Sequence, residues 1–100
     1  MIVTYVFIDG EKIKTNDDLH AAFASSIPLP AWYGNNLDAL HDVLTDLPQP
    51  IGVIAVNLTL LQQHLGRRCG GFLRLMRELN AQEVIRFCPF AFDEIEKDTD

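Results

Sequence analysis

Asp38, Asp42 and Asp46 stand four residues apart in the stretch LPAWYGNNLDALHDVLTD, residues 29–46. An α-helix repeats every 3.6 residues, so that spacing stacks the three carboxylates into one acidic ridge. Such a ridge can meet a metal ion or a basic protein surface, and His41 among the aspartates offers a site for proton transfer. Like charges one turn apart destabilise an isolated helix by about 0.2–0.5 kcal/mol per pair. No Lys or Arg lies between Lys14 and Arg67 to offset them. Two large aromatics, Trp32 and Tyr33, immediately precede the ridge on what reads as a loop.

Metal and acid–base chemistry find little further support. Asp38, three residues before His41, could meet it on a helix, whereas Asp42 is its neighbour and points about 100° away. One Asp and one His do not complete a tetrahedral or octahedral ligand set. GRRCGG, residues 66–71, lacks the spacing of a phosphate-cradling glycine loop and reads as a helix boundary. Cys69 has His64 as its nearest histidine but nothing else of a nucleophilic constellation. Cys69 and Cys88 lack C-x-x-C pairing and read as free thiols in a reducing compartment. The chain is expected to need no metal or cofactor and to be no enzyme. A solvated helix face would account for the aspartates, and Asp38 also suits the positive end of the helix dipole. A plug beneath the loop would account for Trp32 or Tyr33 singly. Together on a proline-stiffened loop, aromatics and acids favour a binding surface, since protein interfaces use aromatic anchors with charge-complementary surroundings.

Composition limits the class of partner. The 100 residues carry a net charge of −6, and residues 1–50 hold only Lys12 and Lys14 against seven acids. Nucleic-acid binding relies on basic groups to neutralise phosphates, so that class is disfavoured. An acidic half suits a basic protein partner. No apolar run approaches the ~20 residues of a membrane span. MIVTYVFIDGEK lacks the features of a signal peptide and reads as a first strand, which suggests a cytoplasmic protein. The free chain is expected to be monomeric.

The elements that must position these residues alternate strand and helix. Residues 2–8 are β-branched and aromatic, predicting a buried strand. TNDDLHAAFASS predicts a helix capped by Thr15 or Asn16, with Leu19, Ala22, Phe23 and Ser26 inward. Pro28 and Pro30 end it. Gly34 offers a permissive backbone position, and Asn35 or Asn36 caps a second helix reaching about Leu47, with Leu37, Leu40, Leu44 and Leu47 inward. Residues 51–58 predict a central strand, apolar on both faces because it is covered on both sides or held in a parallel sheet. A short helix near 59–65 follows, then a last helix over 71–81 with Phe72, Leu75, Met76 and Leu79 inward, then a third strand in EVIRFCPF. Alternation of this kind predicts an α/β fold with a small parallel sheet. One domain is expected over 1–90, with an acidic, frayed tail over 91–100.

IDGEKIKTNDDLHAAFA followed by LPAWYGNNLDALHDVLTDLPQP resembles the barstar family of intracellular ribonuclease inhibitors. The likeness runs over about residues 2–88 and is strongest at YGNNLDAL. It implies a barstar-like fold, a three-stranded parallel β-sheet packed against about four α-helices. It also implies that the second helix and its loop enter a ribonuclease active site, with carboxylates in place of RNA phosphates. Asp38 and Asp42 match the two aspartates of that helix, and Asp42 would reach the basic catalytic centre. Trp32, beside Tyr33, matches an aromatic that packs on the nuclease. Gly34, Asn36 and Ala39 match positions lining the contact, and Glu78 an acid of the last helix that adds a peripheral ion pair. His41 stands where barstar itself has a tryptophan, Trp32 where it has a tyrosine, and Gln82 in place of a second acid. These differences, with Asp46 and Asn35 as partner-specific additions, imply a different basic ribonuclease, or a different basic toxin, as the cognate partner. The alternative is an interaction module of the same fold with a non-nuclease partner.

Overall fold

The computed structural model describes residue 2 and residues 4–90. The elements run β1 (Tyr5–Asp9), α1 (Asn16–Ala24), α2 (Leu37–Thr45), β2 (Ile51–Val56), α3 (Leu58–Leu65), α4 (Arg67–Ala81) and β3 (Ile85–Pro89). The three strands form one parallel sheet in the order β1-β2-β3, with Val6 beside Val53 and Val53 beside Phe87. This is the α/β fold expected from the strand–helix alternation and from the family resemblance. Among the described residues no helix is long and apolar enough to cross a membrane.

Side chains alternate across a strand, so each strand commits every second residue to the core. Val6 and Ile8, Val53 and Ala55, and Ile85 and Phe87 are buried on one face. They meet Leu19 and Phe23 of α1, Leu40 and Leu44 of α2, Leu61 of α3, and Phe72, Met76 and Leu79 of α4 in one core. Phe23 and Phe72 pack edge to face at 6.1 Å between ring centroids, which links the first and last helices. On the opposite face Tyr5, Phe7 and Arg86 are exposed. Gly52 lies under the Tyr5 ring, where a Cβ would come within 2.5 Å of it. The apolar content of β2 thus reflects its central place in a parallel sheet rather than helices on both sides.

Several boundaries differ from those the sequence suggested. β1 begins at Tyr5 rather than residue 2, and α2 ends at Thr45, with Asp46 as its C-cap. Ser26, expected inward on α1, is exposed beyond the end of that helix. The largest correction concerns GRRCGG: α4 starts at Arg67 and carries Gly70 and Gly71 inside it. Gly71 faces α2, and a Cβ there would lie 3.1 Å from Cδ1 of Leu37. The glycine serves close helix approach, and burial of Cys69 on the same turn secures the segment as helix. The acidic tail proposed for 91–100 lies outside the described residues.

At the C-terminal end of the sheet, β1 and β2 are tied together. Asn57, held at φ 55°, donates from its side chain to Asp9 Oδ1 at 2.9 Å. That bond, followed by one from the Glu11 amide, holds the Asp9 carboxyl below its ordinary range. Gly10 passes so close that a Cβ would overlap the Asn57 carbonyl.

Candidate protein-binding surface

α2 and the loop before it are fixed from two sides. Asn36 caps the helix, its Oδ1 accepting from the Ala39 amide at 2.8 Å. This satisfies one of the amides that a helix start leaves unpaired. The sharp change of direction just before the cap falls on Asn35, at φ 53°, and not on Gly34 as expected. Asparagine tolerates that left-handed conformation when its side chain finds a local partner. Here the partners come from α1: Asn35 Nδ2 donates to Asp17 Oδ1 at 3.0 Å, and Asn16 Nδ2 donates to the Asn35 carbonyl at 2.7 Å.

The two aromatics of the loop part ways. Trp32 is 62% exposed. Tyr33 is half-buried, and its hydroxyl hydrogen-bonds Nδ1 of His20, which is only 1% exposed. Burial pushes the Tyr33 hydroxyl up to about 12 and holds the His20 imidazole below its ordinary value. Trp32 is therefore free to meet another molecule, while Tyr33 anchors the loop from within.

On α2, Asp38, His41 and Asp42 are exposed and Ala39 is buried. Leu40, Val43 and Leu44 hold the helix to the core, so the acids fall on the face left to solvent. Asp38 and Asp42 lie one turn apart, about 6 Å along the axis. His41 contacts Asp42, Nδ1 to Oδ1 at 3.5 Å, and not Asp38 as the helical spacing suggested. Both side chains are exposed, so they bend toward each other across the surface despite their different headings. Asp46 also faces solvent, but at the C-cap it extends the ridge to the negative end of the helix dipole. Glu78 is exposed on α4. It lies two turns beyond Gly71, on the same side of α4. The fold thus gathers Trp32, Gly34, Asn36, Asp38, His41 and Asp42 on one loop–helix unit, with Asp46 at its far end and Glu78 on the adjoining helix.

Other chemistry is sparse. Among the described residues no group of three His, Cys, Asp or Glu side chains could hold a metal ion. Cys69 is buried, which raises its thiol above the ordinary value, and Cys88 is half-buried; both are free. A cavity of about 830 Å³ lies elsewhere, lined by Ile2, Tyr5, Pro50, Asn80, Glu83 and Arg86 among others. The sequence did not single out Asn16, Asp17 or His20 as parts of the surface. A signal existed for His20, which precedes Phe23 by three residues and so shares the buried side of α1.

Fold and surface together define a small α/β protein that presents an acidic helix and an exposed tryptophan to its surroundings. The chain belongs to the barstar family: the family model described as Barstar (barnase inhibitor) matches residues 3–92. It is also similar to a Bacillus subtilis (strain 168) protein named "Putative ribonuclease inhibitor YrdF", 30% identical over 82 residues. That match covers 81% of this chain and 88% of the relative.

Proposed function

We propose that the chain is a cytoplasmic inhibitor of a basic ribonuclease, neutralising it as a toxin by covering its active site with α2 and the Trp32 loop. Family membership and the relative's name support a ribonuclease as the partner. The observation that carries the mechanism is the exposed pair Asp38 and Asp42, one turn apart, on a segment free of Lys and Arg.

A site that holds RNA phosphates must offer cations, and carboxylates on a rigid helix can occupy the places of those phosphates. Summed acidic charge steers encounter with a basic cleft and can raise association rates by about 10–10³-fold. Once docked, close charge pairs shielded from water hold the complex. Trp32 supplies apolar area, and Gly34 and Asn36 shape the contact, while Ala39 is buried beneath it. Glu78 adds a charge at the rim, where exposed pairs are worth only about 0–1 kcal/mol. The inhibitor needs no cofactor and performs no chemistry of its own.

His41 sets this chain's surface apart. Its contact with Asp42 places an imidazole beside the carboxylate expected to enter the cleft. This favours a cognate ribonuclease that can accommodate an imidazole there. Co-expression with barnase-type ribonucleases encoded in the same genome tests the function. Rescue of growth by at least one of them is expected, and failure to protect against any contradicts it.

A further inference from the structure

His20 lies on α1, outside the surface that would touch a partner, yet it holds the inner end of that surface. Its Nδ1 shares a hydrogen bond with the Tyr33 hydroxyl, and the two rings meet edge to face at 5.4 Å between centroids. Among the described residues, no group pairs with His20 Nε2. A neutral imidazole needs one donor and one acceptor, whereas the protonated ring carries two N–H groups and a full charge.

We propose that His20 is a positioning residue for the binding loop: neutral, it holds Tyr33 inward and sets Trp32 at the surface; protonated, it lets the loop go. The ring is buried, so a charge there loses hydration, and one of its N–H groups lacks an acceptor among the described residues. The charged groups around it do not restore the balance. Asp17 on its own helix favours the cation, but that carboxylate already accepts from Asn35. Arg68 of α4 opposes the cation, and Tyr33 from the loop offers only a hydroxyl. Burial holds the imidazole below its ordinary value, so the neutral form prevails near neutral pH. The loop is the part that yields on protonation, because Tyr33 is half-buried while Leu19 and Phe23 of α1 sit deep in the core. Loss of partner capture on acidification follows from this device, and that consequence rests on the function proposed above.

The test uses the free 100-residue chain, whose single tryptophan is Trp32. Its outcome is therefore independent of whether the partner is a ribonuclease. Trp32 emission and far-UV circular dichroism are followed from about pH 8 to about pH 5. A His41→Gln background removes the imidazole that the loop–helix unit itself carries. The expected result is one step in emission, centred below pH 6.5, the ordinary imidazole value, while helical signal is retained. His20→Gln abolishes the step, and Tyr33→Phe reduces it by at least about twofold, since it removes the hydrogen bond but keeps the ring. A flat emission profile, a step that survives His20→Gln, or loss of helical signal at the same pH overturns the proposal. If His20→Gln does not fold, Tyr33→Phe decides: a step of wild-type size and midpoint overturns it.

Discussion

The Asn35 side chain donates to the Asp17 carboxylate at 3.0 Å, joining the loop ahead of α2 to the first turn of α1. Asn16 binds the carbonyl of the same asparagine, and His20 binds Tyr33 two residues earlier. Three residues of α1 therefore set where α2 begins and how its acids are presented, although none of them belongs to the acidic ridge.

Asn35 carries both a left-handed backbone and a hydrogen bond, and two substitutions separate these contributions. Asn35→Ala should lose about 1.5–3.5 kcal/mol of unfolding free energy, combining left-handed strain of about 1–2 kcal/mol with one hydrogen bond of about 0.5–1.5 kcal/mol. Asn35→Gly tolerates the backbone and should lose less. Urea denaturation of both variants checks the order, and equal losses would contradict a strained asparagine.

The glycine pair in α4 gives opposite expectations. A Cβ at Gly70 meets nothing within 4 Å on an exposed helical turn. Gly70→Ala should therefore stabilise the protein by about 0.5–1 kcal/mol, the helical penalty of glycine. Gly71 faces Leu37 at close range, so Gly71→Leu should destabilise by about 1–3 kcal/mol through overpacking. Thermal denaturation should move the two variants in opposite directions.

Stability should also depend on pH through His20. Its folded-state imidazole lies below the ordinary value of 6.5, so the unfolded chain binds the proton more readily. Unfolding free energy is then fully present above about pH 6.5 and falls as pH drops toward the folded value. Urea midpoints measured at about pH 7.5 and about pH 5.5 should decrease in the wild type and differ less in His20→Gln. The same decrease in both would assign the effect to other groups.

Much of the fold was legible because hydrophobic period and capping chemistry agreed along the chain. Leu40 and Leu44 on α2 and Phe72, Met76 and Leu79 on α4 went where their spacing sent them. Gly70 and Gly71 misled because a glycine that lets helices approach looks, in one dimension, like one that ends a helix. Asp38 and Asp42 were legible as an exposed pair. The contact of His41 with Asp42 was not, since surface side chains can meet against the heading that the helix gives them. Asn35 was similarly hidden: Gly34 is the better left-handed residue by propensity, but only the fold brings Asp17 and Asn16 to Asn35. His20, between Leu19 and Ala21 in sequence, gives no sign of its partner, and its hold on Tyr33 emerges only when residues 13 positions apart are brought together.

The direct measurement of the proposed inhibitor mechanism is the titration of a barnase-type ribonuclease identified by the co-expression test, using wild type, Asp42→Ala and Asp46→Ala. Asp42 is expected to enter the cleft, and truncating one partner of a shielded charge pair costs about 2–5 kcal/mol. The inhibition constant of Asp42→Ala should therefore rise by about 30-fold to several thousand-fold. Asp46→Ala, at the far end of the ridge, should change it by less than about tenfold. Wild-type inhibition by Asp42→Ala with its fold intact would contradict active-site occlusion by α2.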